Sequence, residues 1–217
     1  MAHVNKAEVE RILLKPPVTW QAYDYFMQAG ALVASWRAVP KGGEALDEAR
    51  RLLKLSLSHD PKFARAFALL SDTYYLSYVL PSDASYLPLG TLDQALELVK
   101  KAVQFDPNLP EAHALLASIL TWKRQHTAAL LAAERAITLN SNNLPSLLVP
   151  TILFAGEYRR TIELGAKIMK RDPMGLAARH LPGWVGLAYY MLGQYNDAIP
   201  HLRECASRSP DYRAVHV

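Results

Sequence analysis

The sequence predicts an all-α protein, a solenoid of about five antiparallel helix pairs stacked on one another. Two observations lead to this fold class. Small and apolar residues recur at three- and four-residue steps along successive segments, the spacing of one buried helical face. A pair of markers also repeats along the chain: a small residue in the second helix of each pair and, 12 positions later, a residue that ends that helix.

These two markers recur five times. The small residues are Ala49, Ala95, Ala129, Thr161 and Ala198, and the residues 12 positions later are Pro61, Pro107, Ser141, Pro173 and Pro210. Successive units are 46, 34, 32 and 37 residues apart, so length varies in the first helices and loops while the second helix stays constant. Proline ends a helix because it lacks a backbone N–H and restricts the residue before it.

The N-terminal segment, residues 1–18, is predicted to be a linker with a short amphipathic helix over residues 7–15. The first unit, residues 19–62, then begins with a helix over residues 21–34. Thr19 is expected to cap this helix. Gly30 is expected to lie at a close contact between helices.

The later units are predicted at residues 64–109, 110–141, 142–175 and 179–212, with a truncated next helix at 211–217. A long insertion, from Val79 to Gly90, interrupts the second unit, and such loops are typically functional or cover a partner site. Thr91 and Gln94 have the spacing of a capping box for the helix that follows.

The last unit is the most regular. Gly186 and Ala198 are expected where its two helices cross closely, since a large side chain at either position would hold the backbones apart. Tyr189 and Leu202 fill the volume beside that crossing. The second helix has one apolar stripe, predicted to be buried, formed by Tyr195, Ala198, Ile199, Leu202, Cys205 and Ala206.

The residue types of this unit resemble the tetratricopeptide repeat, a helical hairpin of 34 residues. The matching positions are Gly186, Tyr189, Gly193, Tyr195, Ala198 and Pro210. The resemblance implies a right-handed superhelical solenoid that serves in protein-protein interaction. Other units depart from the pattern at Ser141, at Thr161, in the insertion and at the shortened start of the fourth unit.

A second resemblance concerns residues 15–24 (KPPVTWQAYD), together with Gly30 and the long insertion. They are similar to the start of a repeat region found in other proteins. That region follows the catalytic and linker domains of bacterial class III adenylate/guanylate cyclases, and similar regions follow winged-helix domains in some transcriptional regulators. The resemblance implies a bacterial signalling protein in which the repeats bind a partner or hold subunits together. Neither domain is recognisable in this chain, so neither activity is carried over.

Composition bounds the remaining interpretations. A chain of 217 residues that is 51% hydrophobic and 20% charged is expected to be folded and soluble. The longest apolar run, residues 144–155, is interrupted by two prolines and is too short to span a membrane. No signal-peptide pattern opens the chain. The single cysteine, Cys205, cannot form an internal disulfide, so a reducing compartment, by default the cytoplasm, is predicted.

The net charge of +4 and the pI near 9.1 raise the question of nucleic-acid binding. Most basic residues fall between apolar positions of second helices, where solvation is expected rather than phosphate binding. Nucleic acid is therefore not an expected partner. The densest cluster comprises Arg159, Arg160, Lys167, Lys170 and Arg171.

No pattern in the sequence indicates chemistry. Phosphate-binding loops, zinc-protease motifs, nucleophile elbows and paired cysteine motifs do not occur in it. The seven histidines are scattered along the sequence and are not interpreted as metal ligands. His113 is predicted to pack at a helix crossing, and Cys205 to be a buried, inert thiol. The sequence predicts no enzyme, cofactor, metal site or small-molecule substrate.

The predicted function is binding, because first helices of successive units line a concave surface in such arrays. The residues predicted to face this groove are Arg65, Asp72, Tyr75, Ser118, Thr121, Trp122, Phe154, Tyr190 and Met191. An extended or helical apolar segment suits them better than a terminal carboxylate, since Asp72, Ser118 and Leu187 occupy positions where carboxylate clamps have asparagine. Alternatively, the aromatic members simply pack between units.

Two function classes remain open at this point. One is an interaction scaffold that binds a peptide or partner domain in the groove. The other is a self-association module that holds effector domains in a dimer. The helix that begins at Asp211 stops at Val217, so the face of Ile199 and Leu202 is expected to lack a further layer. More repeats or a capping helix are therefore expected to follow.

Overall fold

The computed structural model describes residues 17–38, 43–79, 90–140, 145–171 and 180–208. These residues form ten α-helices and no β-strand. The helices are α1 (Pro17–Ala38), α2 (Glu44–His59), α3 (Ala64–Val79), α4 (Thr91–Phe105), α5 (Pro110–Trp122), α6 (His126–Leu139), α7 (Leu148–Phe154), α8 (Tyr158–Arg171), α9 (Leu181–Met191) and α10 (Tyr195–Arg208). Consecutive helices pack in pairs, so the predicted all-α fold of about five helix pairs is confirmed.

The helix pairs divide between two compact units, residues 1–107 and 108–217. The first unit contains the pairs α1/α2 and α3/α4, and the second contains α5/α6, α7/α8 and α9/α10.

The core of the first unit forms where α2 packs on α1. Leu46, Ala49 and Leu53 of α2 are buried at three- and four-residue steps, against Val33 and Trp36 of α1. A buried hydroxyl also joins the pair, since Ser56 Oγ donates to the carbonyl oxygen of Ala22 at 2.6 Å. These residues have the three- and four-residue spacing that predicts one buried helical face.

The five small marker residues are all buried. Each is at most 1% exposed. Thr161 fits among the alanines because its hydroxyl donates to the carbonyl oxygen of Glu157, the residue just before α8, at 3.0 Å. Its polar group is thus satisfied by a neighbouring backbone carbonyl.

Three second helices end in the same way. Asp60, Asp106 and Asn140 all leave the helix with φ between −133° and −149°, and each donates its N–H to the carbonyl oxygen four residues earlier. Pro61 and Pro107 follow the first two, whereas Asn140 adopts this conformation before Ser141. Proline is therefore not required for this helix end.

The three hairpin turns of the second unit share one backbone conformation. Each contains a residue with positive φ: Arg124 at 58°, Gly156 at 85° and Gly193 at 74°. The residue after each one donates its N–H to the carbonyl oxygen five residues earlier, at 2.9 Å, 3.2 Å and 3.0 Å respectively. This is the Schellman pattern, which normally favours glycine at the positive-φ position.

Two predicted helix caps are wrong. Helix α1 begins at Pro17, so Thr19 lies inside the helix rather than before it. Helix α4 has Gly90 at its N-cap, with φ of 86°, and Thr91 is already helical. The helix begins one residue earlier than the capping-box spacing predicts, because Gly90 at positive φ occupies the N-cap position predicted for Thr91.

The predicted close contacts at glycine are confirmed at one position and not at the other. A β-carbon on Gly186 would lie 2.8 Å from Leu202 Cγ, whereas one on Gly30 would lie 3.9 Å from the nearest atom, Leu69 Cδ2. Gly186 is therefore needed for packing and Gly30 is not.

Several predictions lie outside the described residues: the helix at 7–15, the interior of the insertion, Ser141, Pro173, Pro210 and the helix at 211–217. Among the described helices, none combines the length and the hydropathy that crossing a bilayer requires.

Candidate functional site

Three of the predicted groove residues belong to the first unit, and only one of them is exposed. Arg65 lies at the surface of α3, whereas Asp72 and Tyr75 are buried. Asp72 Oδ2 accepts a hydrogen bond from Arg37 Nη2 at 2.5 Å, which pairs α3 with the end of α1. The charge of Asp72 raises the pKa of the Arg37 guanidinium. Asp72 is thus part of an internal ion pair.

Two predicted groove residues of the second unit are buried between helices. Ser118 Oγ donates to the carbonyl oxygen of Leu147 at 2.9 Å. Thr121 Oγ1 bonds to Thr151 Oγ1 at 3.0 Å. Both contacts join α5 to the next hairpin, so these hydroxyls hold the helices together and do not line a surface.

The four remaining predicted groove residues of the second unit are exposed apolar side chains. Trp122, Phe154 and Met191 are 42%, 46% and 51% exposed, and Tyr190 is exposed beside Met191. Each of the first three lies two residues before the positive-φ residue of its turn. They therefore occupy equivalent positions at the ends of α5, α7 and α9, and we refer to these three residues as the apolar column.

Aromatic neighbours support this surface. The rings of Phe154 and Trp184 meet edge to face, 6.0 Å apart with an interplanar angle of 72°. The rings of Tyr190 and Tyr195 lie 5.4 Å apart. The alternative that the aromatic residues pack between units thus holds in part for Phe154, which contacts the next hairpin while nearly half of it stays exposed.

Sequence reasoning missed two of these supporting residues. Trp184 was not among the predicted groove residues, although an aromatic residue two positions before Gly186 was a usable signal. Tyr195 and Ile199 were assigned to the buried stripe of α10, but both are exposed. That part of the prediction is wrong, because the apolar stripe of α10 is wider than the face of this helix that packs on α9.

The candidate chemical groups are placed as predicted. His113 and Cys205 are buried. Burial raises the pKa of the Cys205 thiol, which disfavours the reactive thiolate. Within the described ranges, histidine, cysteine and acidic side chains form no group of three that could hold a metal ion.

Comparison with protein families gives one match within the chain. The family model described as the tetratricopeptide repeat matches residues 183–212, most of the last predicted unit. Among curated proteins, none matches the chain.

Solved structures extend the likeness over most of the chain. The thermophilic tetratricopeptide-repeat protein TTC0263 of Thermus thermophilus is 15% identical, with a TM-score of 0.63 over 90% of this chain and 95% of that one. YrrB, a tetratricopeptide-repeat protein described as having an unusual peptide-binding site, is 17% identical, with a TM-score of 0.54 over 88% of both chains. MamA is 22% identical, with a TM-score of 0.53 over 91% and 96%. The chain thus has the fold of tetratricopeptide-repeat proteins.

Proposed function

We propose that this protein is a non-catalytic interaction scaffold that binds an extended apolar peptide segment of a partner through the apolar column of its second unit. The observation that supports the proposal is the equivalence of Trp122, Phe154 and Met191 in three successive hairpins, each with about half of its surface exposed.

Single exposed apolar residues are normal on protein surfaces. Three large ones at the same position of three consecutive hairpins form an ordered row, and aromatic residues and methionine are the types that interfaces favour. Covering the exposed half of each side chain is worth about 1–2 kcal/mol by apolar area. The row therefore offers three apolar contacts to a short peptide.

The arrangement of the first helices suggests the spacing of the ligand's anchors. Helix α5 packs against α7, and α7 against α9. Packed helices lie roughly 8–10 Å apart. A polyproline-II peptide rises about 3.1 Å per residue and brings every third side chain to one face, so successive anchors are about 9 Å apart. We expect ligands with apolar anchors at positions i, i+3 and i+6.

The comparisons support peptide binding only at the level of the fold, since YrrB is described as having a peptide-binding site. None of the solved structures named above is described as a cyclase, so they add no support for a cyclase parent. That parent, or a transcriptional regulator, stays a prediction from residues 15–24. Self-association through the same surface is the alternative, and it predicts dimers that disappear when the column is removed.

A peptide-display selection tests the proposal. A random library is selected on the wild-type protein and counter-selected on the variant W122A/F154A/M191A, with L131A as a matched control. Leu131 is 69% exposed on α6, a second helix, and lies outside the column. Selected peptides are expected to bear apolar residues at three-residue spacing and to bind L131A but not the triple variant. Peptides that bind the triple variant equally well would contradict the proposal.

A further inference from the structure

One helix contains the whole excess positive charge of the chain. Helix α8 has five basic residues and one acidic residue, so its formal charge equals the net charge of +4 of all 217 residues. The basic and acidic residues of the rest of the chain therefore balance. Such a concentration on 14 residues is a local feature that the composition alone does not show.

The packing of α8 sorts these charges onto its outer side. Leu164, Gly165 and Ile168 are buried, and a β-carbon on Gly165 would overlap the Val185 side chain of α9. The exposed residues of the opposite side are Arg159, Glu163, Ala166, Lys167, Lys170 and Arg171. We refer to these six residues as the basic face.

Two exposed basic residues of other second helices each have an acidic residue one turn away. Arg51 pairs with Glu48 at 2.7 Å on α2, and Lys100 pairs with Glu97 at 2.9 Å on α4. By formal charge, the basic face has four basic side chains and one carboxylate, that of Glu163, which is an excess of three positive charges. An excess of this kind favours an anionic partner.

Arg160, on the flank of α8, binds two carboxylates of this chain. Arg160 forms a two-pronged pair with Glu134 of α6, in which Nη2 donates to Oε2 at 2.9 Å, and its Nη1 also donates to Glu157 Oε2 at 2.9 Å. Arginine and carboxylate match in this fork geometry. The same chemistry on the neighbouring face would accept aspartate or glutamate side chains from another chain.

We propose that the basic face of α8 docks an acidic peptide segment of a partner protein, at a surface separate from the apolar column. The face is about 18 Å long by helix rise, which an extended segment of about six residues spans. A peptide can place an uncharged residue opposite Glu163. The charges of the basic face thus predict a segment with several acidic residues and an uncharged residue near its middle.

Two other anionic partners fit less well. A nucleic acid has a phosphate at every nucleotide, so one would face the Glu163 carboxylate, and the basic face has no aromatic side chain on which a base could stack. A helix that lies on a membrane inserts its apolar side into the lipid, but the apolar side of α8 is buried against the protein.

Fluorescence anisotropy with a labelled peptide of about eight residues, mostly glutamate with a central glycine, tests this inference on the full chain. Binding at low ionic strength is expected to weaken at least about tenfold in R159E/K170E, and to weaken with added salt because the charges are exposed. The milder variant R159Q/K170Q removes the same two charges without reversing them, in case the charge reversal disturbs folding. Circular dichroism checks that both variants are folded. The matched control R51E/K54E reverses two exposed charges on α2 and is expected to bind like the wild type.

Equal binding by R159E/K170E and the wild type would overturn the inference, as would tighter binding of a labelled single-stranded oligonucleotide than of the acidic peptide through the same residues. The result is separable from the proposed function. Apolar peptides selected on the column are expected to bind R159E/K170E unchanged, and the acidic peptide is expected to bind W122A/F154A/M191A unchanged.

Discussion

Gly186 of α9 lies directly against Leu202 of α10, so that a β-carbon at Gly186 would be 2.8 Å from Leu202 Cγ and 3.1 Å from the Leu202 backbone nitrogen. The leucine side chain can turn away, but the backbone of α10 cannot move without opening the hairpin. Gly186→Ala is therefore expected to destabilise the protein by about 1–3 kcal/mol through overpacking, although alanine favours the helix. Urea unfolding monitored by circular dichroism measures the change.

Gly30 provides the matched control for that substitution. It also lies within a helix, α1, but the nearest atom to an added β-carbon is 3.9 Å away, an ordinary contact. Gly30→Ala is expected to stabilise the protein by about 0.5–1 kcal/mol because alanine is the better helix former. If both substitutions shifted the urea midpoint in the same direction, the distinction between these two glycines would be wrong.

Arg124 is the only non-glycine residue with positive φ among the described residues. Gly156 and Gly193 adopt the same conformation in the equivalent turns, so Arg124→Gly is expected to stabilise the α5/α6 hairpin by about 1 kcal/mol. Gly193→Ala is expected to cost about the same, since an added β-carbon meets no atom within 4 Å and only the backbone preference changes. Melting temperatures that moved in the opposite directions would contradict the turn assignment.

Cys205 is fully buried, and burial raises the pKa of its thiol. We expect a thiol reagent to modify it far more slowly in the native protein than in denaturant at the same pH. Because it is the single cysteine of the chain, the labelling rate reports opening of the α9/α10 hairpin directly. Native labelling as fast as that of a free thiol would show that the hairpin is not packed as described.

The hydrogen bonds from Arg160 lower the pKa of the Glu134 carboxyl below its ordinary value of 4.5. A carboxyl with a lowered pKa in the folded state stabilises the fold above its unfolded pKa and loses that contribution as the pH falls below about 4.5. Both side chains are partly exposed, so the effect is expected to be at most about 1 kcal/mol. Glu134→Gln is thus expected to reduce stability at pH 7 but not in strong acid. A deficit that persisted there would point to lost packing instead.

The sequence predicted the second helices well because their signal is local. Ala49 and Ala198 belong to apolar patterns with helical spacing, and a proline follows each of them 12 residues later. Such a pattern identifies a buried helical position without knowledge of the partner helix. The turn at Arg124 could not be predicted in this way, because arginine has no preference for positive φ.

The candidate site was predicted less completely, for a related reason. Register identifies which face of a helix a residue occupies, but not how deeply the next hairpin covers it. Ser118 and Trp122 were both placed in the groove by register, yet Ser118 bonds to Leu147 while Trp122 stays exposed. The pairing of Asp72 with Arg37 joins residues 35 positions apart, and no periodic pattern contains that information.

Calorimetric titration of a display-selected apolar peptide tests the central claim, that the apolar column is the binding surface, most directly. W122A/F154A is expected to bind at least about tenfold more weakly than the wild type, a loss of about 1.4 kcal/mol or more, while L131A binds like the wild type. Unchanged affinity in W122A/F154A, or an equal loss in L131A, would contradict the account.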